Sequence, residues 1–454
     1  MSSVDDNFKI TVADLSPAKA IEDTDFFFHT LESVHPQLLA NVSPEEYLSL
    51  KKKVKERLQA MASEERKISQ AELIKTLAEA AAFFQDGHTV VHPSLWSVDE
   101  TDPSKRMLPF HLDYRLGSIL VGNTVEGLKQ LEGRRLLKVN GTDFVEVIRP
   151  ILQCISGEKR EFRIASFTRN ERACWALVRP LEGPKASVTV QNEKGEGTTL
   201  EIELVSIQHY DNKIPQKEQE VPESFHQFYY GDRICYYQYN SFRYSDKEKR
   251  YIDCLFASLR EKSVRNLIID LRFNGDGNSS IGDYILSHLT SKPYCMYSRY
   301  DLRLSKQLFE MGRYDRRLKE LAGLTVTHRA QFKEPEHRDH RFKGRLFLLT
   351  GPNTFSAAAD FAAVTKDFAM GTIIGEECGG IRQSFGDILT FSLPNSGTSF
   401  GVSYKRFYAP VPGPGDDRQG TVPHIIVSEE ILSKYSDAKD PVLAFALDHI
   451  SDNS

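Results

Sequence analysis

The first hundred residues carry apolar side chains at helical spacing. This period predicts a first helix over residues 17–35. Two capping boxes, at residues 43–46 and 69–72, predict the N-termini of two further helices. The last of these runs into Gly87, which is typical of a helix C-terminus, and His88 follows at once. We therefore predict a cap of three helices that delivers His88 into a turn.

The next segment has shorter, alternating apolar runs. Four of these runs predict strands, and a helical pattern between the second and the third predicts a short helix. The strands cover residues 118–121, 135–139, 187–191 and 199–204, and the helix covers 143–152. Between residues 208 and 225 the chain is polar and contains Pro215 and Pro222, which is typical of a linker. The pattern predicts a small β-rich module followed by a linker.

The last segment alternates strands with helices. Apolar runs at 234–239, 266–271, 346–349 and 372–375 predict strands, and helical patterns follow the first three of them. Two more strands are expected at 389–393 and 398–404, with a charged helical insertion over 302–322. This alternation favours a mostly parallel sheet with crossover helices. The predicted organisation is an N-terminal helical cap (1–100), a β-rich module (101–207) and an α/β core (208–454).

Composition indicates a globular protein and excludes several functional classes. Of 454 residues, 40% are hydrophobic and 27% are charged. The net charge of −5 and the scattered basic residues argue against a nucleic-acid partner, and no apolar run approaches the ~20 residues that cross a bilayer. No metal or organic cofactor is expected, because no cluster of ligand residues has the required spacing. The oligomeric state stays open.

The cysteines and the amino end bear on location. The six cysteines are widely spaced and form no C-x-x-C pair, so they are interpreted as reduced, mostly buried thiols. The amino end has no basic segment followed by an apolar one, so no secretory signal is expected. Both observations predict a cytoplasmic location, although an exported protein trimmed of its leader would look the same.

The stretch from Arg345 to Gly380 is the most informative for chemistry. An apolar strand ends in a Gly-Pro-Asn turn, and Ser356 then opens an apolar-periodic helix. A hydroxyl at a helix N-terminus lies beside unpaired N–H groups and the positive end of the helix dipole, which can hold an oxyanion. Acyl transfer uses a nucleophile at such a strand-to-helix corner. Shape alone fits an ordinary N-cap serine better, so the remaining motifs have to decide.

Four short motifs follow one another along the last segment. Residues 270–277 match D-L-R-x-N-x-G-G, 354–358 match T-x-S-A-A, 375–380 match G-E-x-x-G-G, and 420–425 match G-x-x-P-D-I. In this order and spacing they resemble the C-terminal processing (tail-specific) serine peptidase family, in the branch that includes the tricorn protease core. Residues 84–89 also resemble a bacterial subgroup with a helical cap. The resemblance implies a ClpP/crotonase-like, mostly parallel core beneath that cap.

The resemblance implies that Ser356 is the nucleophile. Many members pair it with a lysine just beyond the glycine turn that follows the nucleophile helix, but residues 379–383 contain no lysine. Lys366 lies on the nucleophile helix itself and is interpreted as a solvated surface charge. The resemblance therefore points to a tricorn-like serine–histidine arrangement with His88 as general base. Taken alone, His88 would fit a turn histidine at a helix C-terminus.

The remaining roles rest on the same resemblance. Backbone N–H groups of Ala357 and of the glycine turn, Gly275 and Gly277, would form the oxyanion hole. Asp417 would stand in for the acidic partner of the histidine, since it lies shortly before Gly420. A solvated loop acid is an equal interpretation of Asp417 and of its rivals. Those rivals are Asp416, Glu376 and Glu377.

Two residues depart from the family pattern. Asp276 stands where the family has a glycine, and its charge beside a forming oxyanion would be unfavourable unless it points away. His424 stands where the family usually has an aspartate after proline. Both departures bear on catalytic competence and leave the expected fold unchanged.

The β-rich module has a motif of its own. Residues 136–141 match the I-L-x-V-N-G strand and turn of the PDZ-like domains in these peptidases. A PDZ-type groove adds an extended C-terminus as a strand and holds its carboxylate with backbone amides. No intact carboxylate-binding loop is evident, so the module either captures substrate or only packs against the core.

The sequence therefore predicts a serine endopeptidase that cleaves extended polypeptides through an acyl-enzyme. The alternative is a peptide-binding homologue that keeps the fold and has lost turnover, a hypothesis that Asp276 motivates. A crotonase-type acyl-CoA enzyme is a third hypothesis, because the two core folds are similar. The natural substrate and the residue preference beside the cut are not determined by the sequence.

Overall fold

The computed structural model describes residues 14–61, 67–91, 104–192, 195–210, 214, 224–336 and 341–452. Three helices form the amino-terminal part: α1 (Pro17–Val34), α2 (Pro44–Met61) and α3 (Gln70–Ala82). Both predicted capping boxes are confirmed. At the start of α3 the Ser69 hydroxyl accepts the Glu72 N–H at 3.2 Å, and the Glu72 carboxylate accepts the Ser69 N–H at 3.0 Å. Ser43 and Glu46 make the same pair at the start of α2.

The described part of the middle segment contains short strands and three helices. The strands are β1 (Arg106–Met107), β2 (Phe110–Arg115), β3 (Ser118–Thr124), β4 (Leu136–Val139), β5 (Thr142–Asp143), β6 (Lys185–Gln191), β7 (Gly197–Glu203) and β8 (Val205–Ser206). The helices are α4 (Phe144–Leu152), α5 (Arg160–Arg169) and α6 (Glu171–Val178). β5-β4-β6-β7 form an antiparallel sheet, and β2 and β3 form a hairpin. The periodicity did not predict α5 and α6. In α5, buried side chains follow one another closely, which weakens the helical period.

The core of the last segment is a six-stranded sheet in the order β18-β15-β14-β11-β10-β9. Its strands are β9 (Ser224–Tyr229), β10 (Ile234–Tyr239), β11 (Asn266–Asp270), β14 (Arg345–Thr350), β15 (Thr372–Gly375) and β18 (Ile425–Ile426). All neighbouring pairs are parallel except β9 with β10. Most of the predicted linker, including Pro215 and Pro222, lies outside the described residues. Its last two residues already belong to β9.

Helices cover both faces of this sheet. On one face lie α7 (Asp246–Glu261), α8 (Ser279–Leu289) and α10 (Ala357–Asp367), and on the other lie α11 (Glu429–Ser433) and α12 (Pro441–Asp452). Along β11, Leu267 and Ile269 pack into the first apolar cluster, whereas Ile268 packs into the second. The near-continuous apolar run of this strand is explained by that burial on two sides.

The last two predicted strands do not belong to the parallel sheet. They are β16 (Phe385–Ser392) and β17 (Ser399–Tyr408), and they form an antiparallel sheet with β12 (Arg299–Arg303) and β13 (Thr325–Arg329). The charged insertion is not one helix either. Only α9 (Lys306–Glu310) and a 3₁₀ turn (Arg316–Leu321) are helical, because Gly312 at φ +67° ends the first of them.

The cap, the middle segment and this antiparallel sheet share one apolar cluster. Phe27 of α1 packs on Phe400 of β17 with ring centroids 5.0 Å apart. The Asp23 carboxylate accepts the backbone N–H groups of Asn395 and Ser396 at 2.8 and 2.9 Å. The cap is thereby attached beside the carboxyl ends of the parallel strands. Within the described residues, no helix combines the length and the apolar character that a membrane span requires.

Candidate active site

Ser356 lies at the corner between β14 and α10. Its backbone adopts φ 54° and ψ −132°, a conformation that residues other than glycine rarely adopt. The flanking backbone is held by hydrogen bonds, since Phe355 N–H donates to the Asn274 carbonyl and Gly380 N–H donates to the Thr354 carbonyl, both at 3.0 Å. The hydroxyl makes no capping hydrogen bond to α10. Ser356 therefore occupies the N-cap position without acting as an ordinary N-cap.

The Ser356 hydroxyl instead faces an imidazole from the cap. Its Oγ lies 2.9 Å from Nε2 of His88, 268 positions earlier in the chain. The His88 ring stacks on Phe355, the residue before the serine, with centroids 4.8 Å apart and planes 25° apart. Just beyond the histidine, Val90 pairs with Gly401 of β17 through two backbone hydrogen bonds of 3.0 and 2.8 Å. The structure brings together the two residues on which the sequence argument depended.

The surroundings of His88 favour its neutral form. The residue is only 8% exposed, and this burial lowers its pKa below the usual value. The negative charges of Asp86 and Asp387 oppose that decrease in the pKa. A neutral imidazole at neutral pH can accept a proton, as a general base must.

Asp86 fixes the turn that carries His88. Its buried carboxylate accepts the His88 backbone N–H at 2.8 Å and the Ser403 hydroxyl at 2.7 Å, and it lies 3.1 Å from Nε2 of His35. Nδ1 of His35 accepts the Gln37 N–H at 3.1 Å, so Nε2 of a neutral His35 carries the hydrogen and donates it to Asp86. Burial raises the pKa of Asp86, but the interactions with His35, and next those with His88 and Thr89, outweigh it and lower the pKa below its usual value. An ionised carboxylate therefore lies directly behind the imidazole.

Glu158, in the loop before α5, is the second acid near His88. Nδ1 of His88 is buried without a hydrogen-bond partner among the described residues, and the buried carboxyl oxygens of Glu158 have only the backbone N–H groups of Gly87 and Glu158 close enough to act on them. Burial, and next the charge of Asp86, raise the pKa of Glu158 to about 8. One oxygen of Asp86, one of Glu158 and a ring nitrogen of His88 all lie within 4.8 Å of one another. A Cβ at Gly87 would lie 2.5 Å from the Phe355 ring and 3.2 Å from Glu158 Oε2, so the turn leaves no room for a side chain at this position.

This group of three also has the ligand chemistry of a metal site. Imidazole nitrogen and carboxylate oxygen suit Zn²⁺. Both oxygens of Asp86, however, already accept hydrogen bonds inside the fold. The three groups therefore fit proton sharing around His88 better than metal binding.

Asp417 does not lie beside His88, so the predicted acidic partner is wrong. Its carboxylate is half exposed and lies 3.9 Å from Arg418 Nε. The rivals are also engaged elsewhere: Asp416 binds Arg382, Glu376 accepts the Leu116 N–H, and Glu377 accepts the Gly420 N–H. These four acids belong to loops of the last segment, whereas the two acids that lie near the imidazole come from the cap and from the middle segment.

Two of the three predicted oxyanion residues line the cavity at Ser356. These are Ala357, the first residue of α10, and Gly277. Gly277 has φ +132°, and a Cβ there would clash with Phe242, so only glycine fits. Gly275 does not line the cavity. A Cβ at Gly275 would lie 2.5 Å from a guanidinium nitrogen of Arg169 in α5.

Asp276 has neighbours that moderate its charge. The Ser241 hydroxyl donates to its carboxylate at 3.2 Å, and Arg169 is close enough to attract it electrostatically. Asp276 is not among the described residues that line the cavity. The departure from the glycine pattern is therefore compensated by a basic residue of the middle segment.

Two other residues singled out in the sequence have structural roles. Nζ of Lys366 donates to the Val422 carbonyl at 2.6 Å, so this lysine is not a solvated surface charge and does not face Ser356. Nδ1 of His424 accepts the Ile373 N–H at 3.0 Å and joins β15 to the loop before β18.

Sequence reasoning missed Asp86 and Glu158. A signal existed for Asp86, because an aspartate two residues before a turn residue commonly accepts that residue's backbone N–H. No sequence signal existed for Glu158, because it lies in a loop without a motif and comes near His88 only through the packing of α5 against Phe355. The Phe162 and Phe355 rings stack with centroids 4.0 Å apart.

Comparison with known proteins bears on the family and on the fold. Residues 233–427 match the sequence profile of peptidase family S41. The sequence matches no curated protein. The fold is similar to the crystal structure of mature CPAF, with a TM-score of 0.63 and 12% identity over 90% of this chain and 92% of that one. It is also similar to mature CPAF complexed with lactacystin, with a TM-score of 0.62 and 14% identity over 90% and 94% of the two chains.

The family profile covers β10 through β18 and includes the Ser356 corner. It therefore spans the parallel sheet and the antiparallel sheet on which the His88 turn is held. Residues 233–427 thus carry the similarity of this chain to peptidase family S41, the C-terminal processing peptidases, and this similarity supports a serine-type peptidase.

Proposed function

We propose that the chain cleaves extended polypeptides through an acyl-enzyme on Ser356. Nε2 of His88 takes the hydroxyl proton while Oγ attacks the scissile carbonyl carbon. The C–N bond then breaks, and the imidazolium gives its proton to the departing amine. Water, deprotonated by His88, hydrolyses the ester and restores the serine. The 2.9 Å contact between Oγ and Nε2 carries this proposal.

The oxyanion would be held by backbone N–H groups of Ala357 and Gly277. Both residues line the cavity with Ser356, and the first N–H groups of a helix have no partner within that helix. The positive end of the α10 dipole adds to the stabilisation of a developing negative charge.

Asp86 and Glu158 would take the place that the sequence assigned to Asp417. While Nε2 accepts the serine proton, the hydrogen of the imidazole resides on Nδ1, which needs an acceptor. The buried carboxyl group of Glu158, which has no side-chain partner among the described residues, lies near that ring. A small movement of its carboxyl group would satisfy both sides, and the charge of Asp86 would stabilise the imidazolium.

The finer fold assignments belong to the same proposal. A ClpP/crotonase-like core over residues 208–454 is supported by the parallel sheet with helices on both faces. A PDZ-like module over residues 101–207 is supported by the four-stranded antiparallel sheet that contains the Asn140-Gly141 turn. In this scheme residues 1–100 form the cap that supplies the base.

A fluorophosphonate probe tests the nucleophile. We expect it to label wild-type protein and to leave Ser356→Ala protein unlabelled, since the probe reacts with activated serine hydroxyls. Equal labelling of the variant would exclude Ser356 as the reactive group.

Cleavage of unfolded casein separates the peptidase from the alternative, a peptide-binding homologue without turnover. We expect wild type to cleave casein and His88→Ala protein to lose that activity. Binding of casein without cleavage by wild type would support the alternative. That alternative was motivated by the charge of Asp276 beside a forming oxyanion. The contacts of Asp276 with Ser241 and Arg169 weaken this argument.

A further inference from the structure

The cavity beside Ser356 contains a carboxyl group without a cationic partner. This cavity of about 440 Å³ extends from Ser356 and His88 to Asp360, one turn further along α10. Its volume lies within the range of small-ligand sites. The Asp360 carboxylate accepts the Tyr297 hydroxyl at 2.8 Å. In the described part of the chain, no lysine, arginine or histidine nitrogen lies within 4.0 Å of it.

The other charged side chains that line the cavity, besides His88, are exposed. Asp387 is one of them, and its carboxylate binds Nζ of Lys405 at 2.6 Å and lies 3.4 Å from the Tyr404 hydroxyl. Arg313 of the charged insertion is the other. His88 faces Ser356. Asp360 is therefore the carboxyl group whose charge the protein itself leaves unmatched.

Two aromatic rings line the same cavity as Ser356 and Asp360. Tyr297 and Phe407 pack with centroids 4.4 Å apart and planes 35° apart, and both line the cavity. Ring faces accommodate the aliphatic stem of a long side chain and attract a cation at its end. A carboxyl group in a cavity with such rings is the arrangement that a lysine or arginine side chain requires.

We propose that this cavity binds the side chain of the residue before the cleaved bond, and that Asp360 selects lysine or arginine at that position. The inference rests on the proposed peptidase function and names its substrate class. Asp360 would be a specificity-determining residue, because it touches the substrate side chain and no reacting atom.

The environment of Asp360 adds a pH signature. Burial raises the pKa of Asp360 to about 7, the Tyr297 hydroxyl opposes that increase, and the charge of Asp387 adds to it. Asp360 therefore becomes ionised between about pH 6 and pH 8, while a lysine side chain stays protonated. Preference for lysine over an uncharged side chain of equal length should strengthen over this range. The ratio of kcat/KM for two substrates is independent of the titration of His88, because that titration changes both values by the same factor.

The experiment uses the full chain and three fluorogenic peptides that differ only before the cut, with lysine, norleucine or glutamate there. Norleucine matches the lysine stem and lacks the charge. We expect kcat/KM for lysine to exceed that for norleucine by about 10- to 100-fold at pH 8, the range for one charge-assisted contact. In Asp360→Asn protein the ratio should fall to about one, with the norleucine value retained, and Asp360→Glu should restore part of it.

The outcomes separate this inference from the function on which it rests. Cleavage of norleucine or glutamate peptide as fast as lysine peptide would overturn the selectivity and leave the peptidase intact. A preference for lysine that survives in Asp360→Asn would overturn the role of Asp360. No cleavage of any peptide, together with no labelling of Ser356 by a fluorophosphonate, would overturn both proposals.

Discussion

The two halves of the active site are built in different ways. Ser356 is positioned by its own backbone, at a strained corner between a buried strand and a helix whose neighbours hydrogen-bond through main-chain groups. His88 is positioned by side chains: Asp86 of its own turn, which His35 and Ser403 hold in place from distant segments, and Phe355 of the core. The nucleophile thus depends on local geometry, and the base depends on tertiary packing.

This difference has consequences for stability and activity. Removal of the Ser356 hydroxyl deletes one oxygen atom, and the backbone hydrogen bonds around Ser356 still hold the corner. Removal of a support behind the histidine leaves several buried polar groups without a partner, which costs free energy of unfolding as well as catalysis. The comparison can be tested by perturbing each half separately.

The largest expected effect is on turnover. Ser356→Ala and His88→Ala should each lower kcat/KM for casein-derived peptides by roughly 10³-fold or more, because the two groups act as one unit. The double variant should be no worse than the more damaged single variant. Losses that multiply in the double variant would contradict a shared proton-transfer step.

The second largest expected effect is the loss of stability when Asp86, which holds the turn of His88, is removed. Asp86→Ala should lower the free energy of unfolding by about 3–5 kcal/mol, since His35, Ser403 and the His88 N–H all lose a buried acceptor. Urea denaturation of Ser356→Ala in parallel should give a value close to wild type.

Asp232→Asn is the matched control for Asp86→Ala. Asp232 pairs with Lys262 at 2.8 Å with both side chains well exposed, so little change in the free energy of unfolding is expected. Similar destabilisation by the Asp86 and Asp232 substitutions would contradict the role assigned to the buried network.

Third is the pH dependence of stability that Glu158 introduces. Its pKa is raised to about 8 in the folded protein from an ordinary value of 4.5. Between these values the folded protein holds a proton that the unfolded chain releases, so the free energy of unfolding decreases as pH rises through this window. Glu158→Gln should remove this decrease and be more stable than wild type at pH 8.5 by roughly 2–4 kcal/mol.

Urea denaturation at pH 5 and pH 8.5 measures this effect of Glu158. Glu161, an exposed acid in the first turn of α5, lies three residues after Glu158; Glu161→Gln is the matched control and should follow wild type. A Glu158→Gln protein with an unchanged pH profile would show that Glu158 is ionised in the fold.

The smallest expected effect is on the acid limb of the pH–rate profile. Because burial lowers the pKa of His88, kcat/KM should rise with pH below 6.5 and should be close to its plateau value above pH 6.5. Asp387→Asn removes a negative charge that raises this pKa, so the limb should move to lower pH by less than about one unit. A shift to higher pH would contradict the assignment of this limb to His88.

Much of the fold could be predicted because its signals are local. The capping boxes at Ser43 and Ser69 and the doubly buried strand β11 follow from backbone preferences within a few residues. The expected glycine stop after α3 is wrong, because Gln85 at φ 53° takes the left-handed conformation there and Gly87 does not. The motif after β14 likewise predicted that Ser356 would stand at a corner. Such features need only a short window of sequence.

Tertiary structure alone decided the surroundings of the base. Asp417 precedes the expected glycine and still lies away from His88, while Glu158, without any motif, lies beside it. The same holds for β16 and β17, whose apolar pattern resembles that of core strands although they form a separate sheet that holds the His88 turn. The amino-acid sequence by itself determined the cap helices, the strands of the parallel sheet from β10 to β15 and the nucleophile corner, because backbone conformation responds to near neighbours. Only packing decided which acids surround the imidazole, because those contacts join side chains up to hundreds of positions apart.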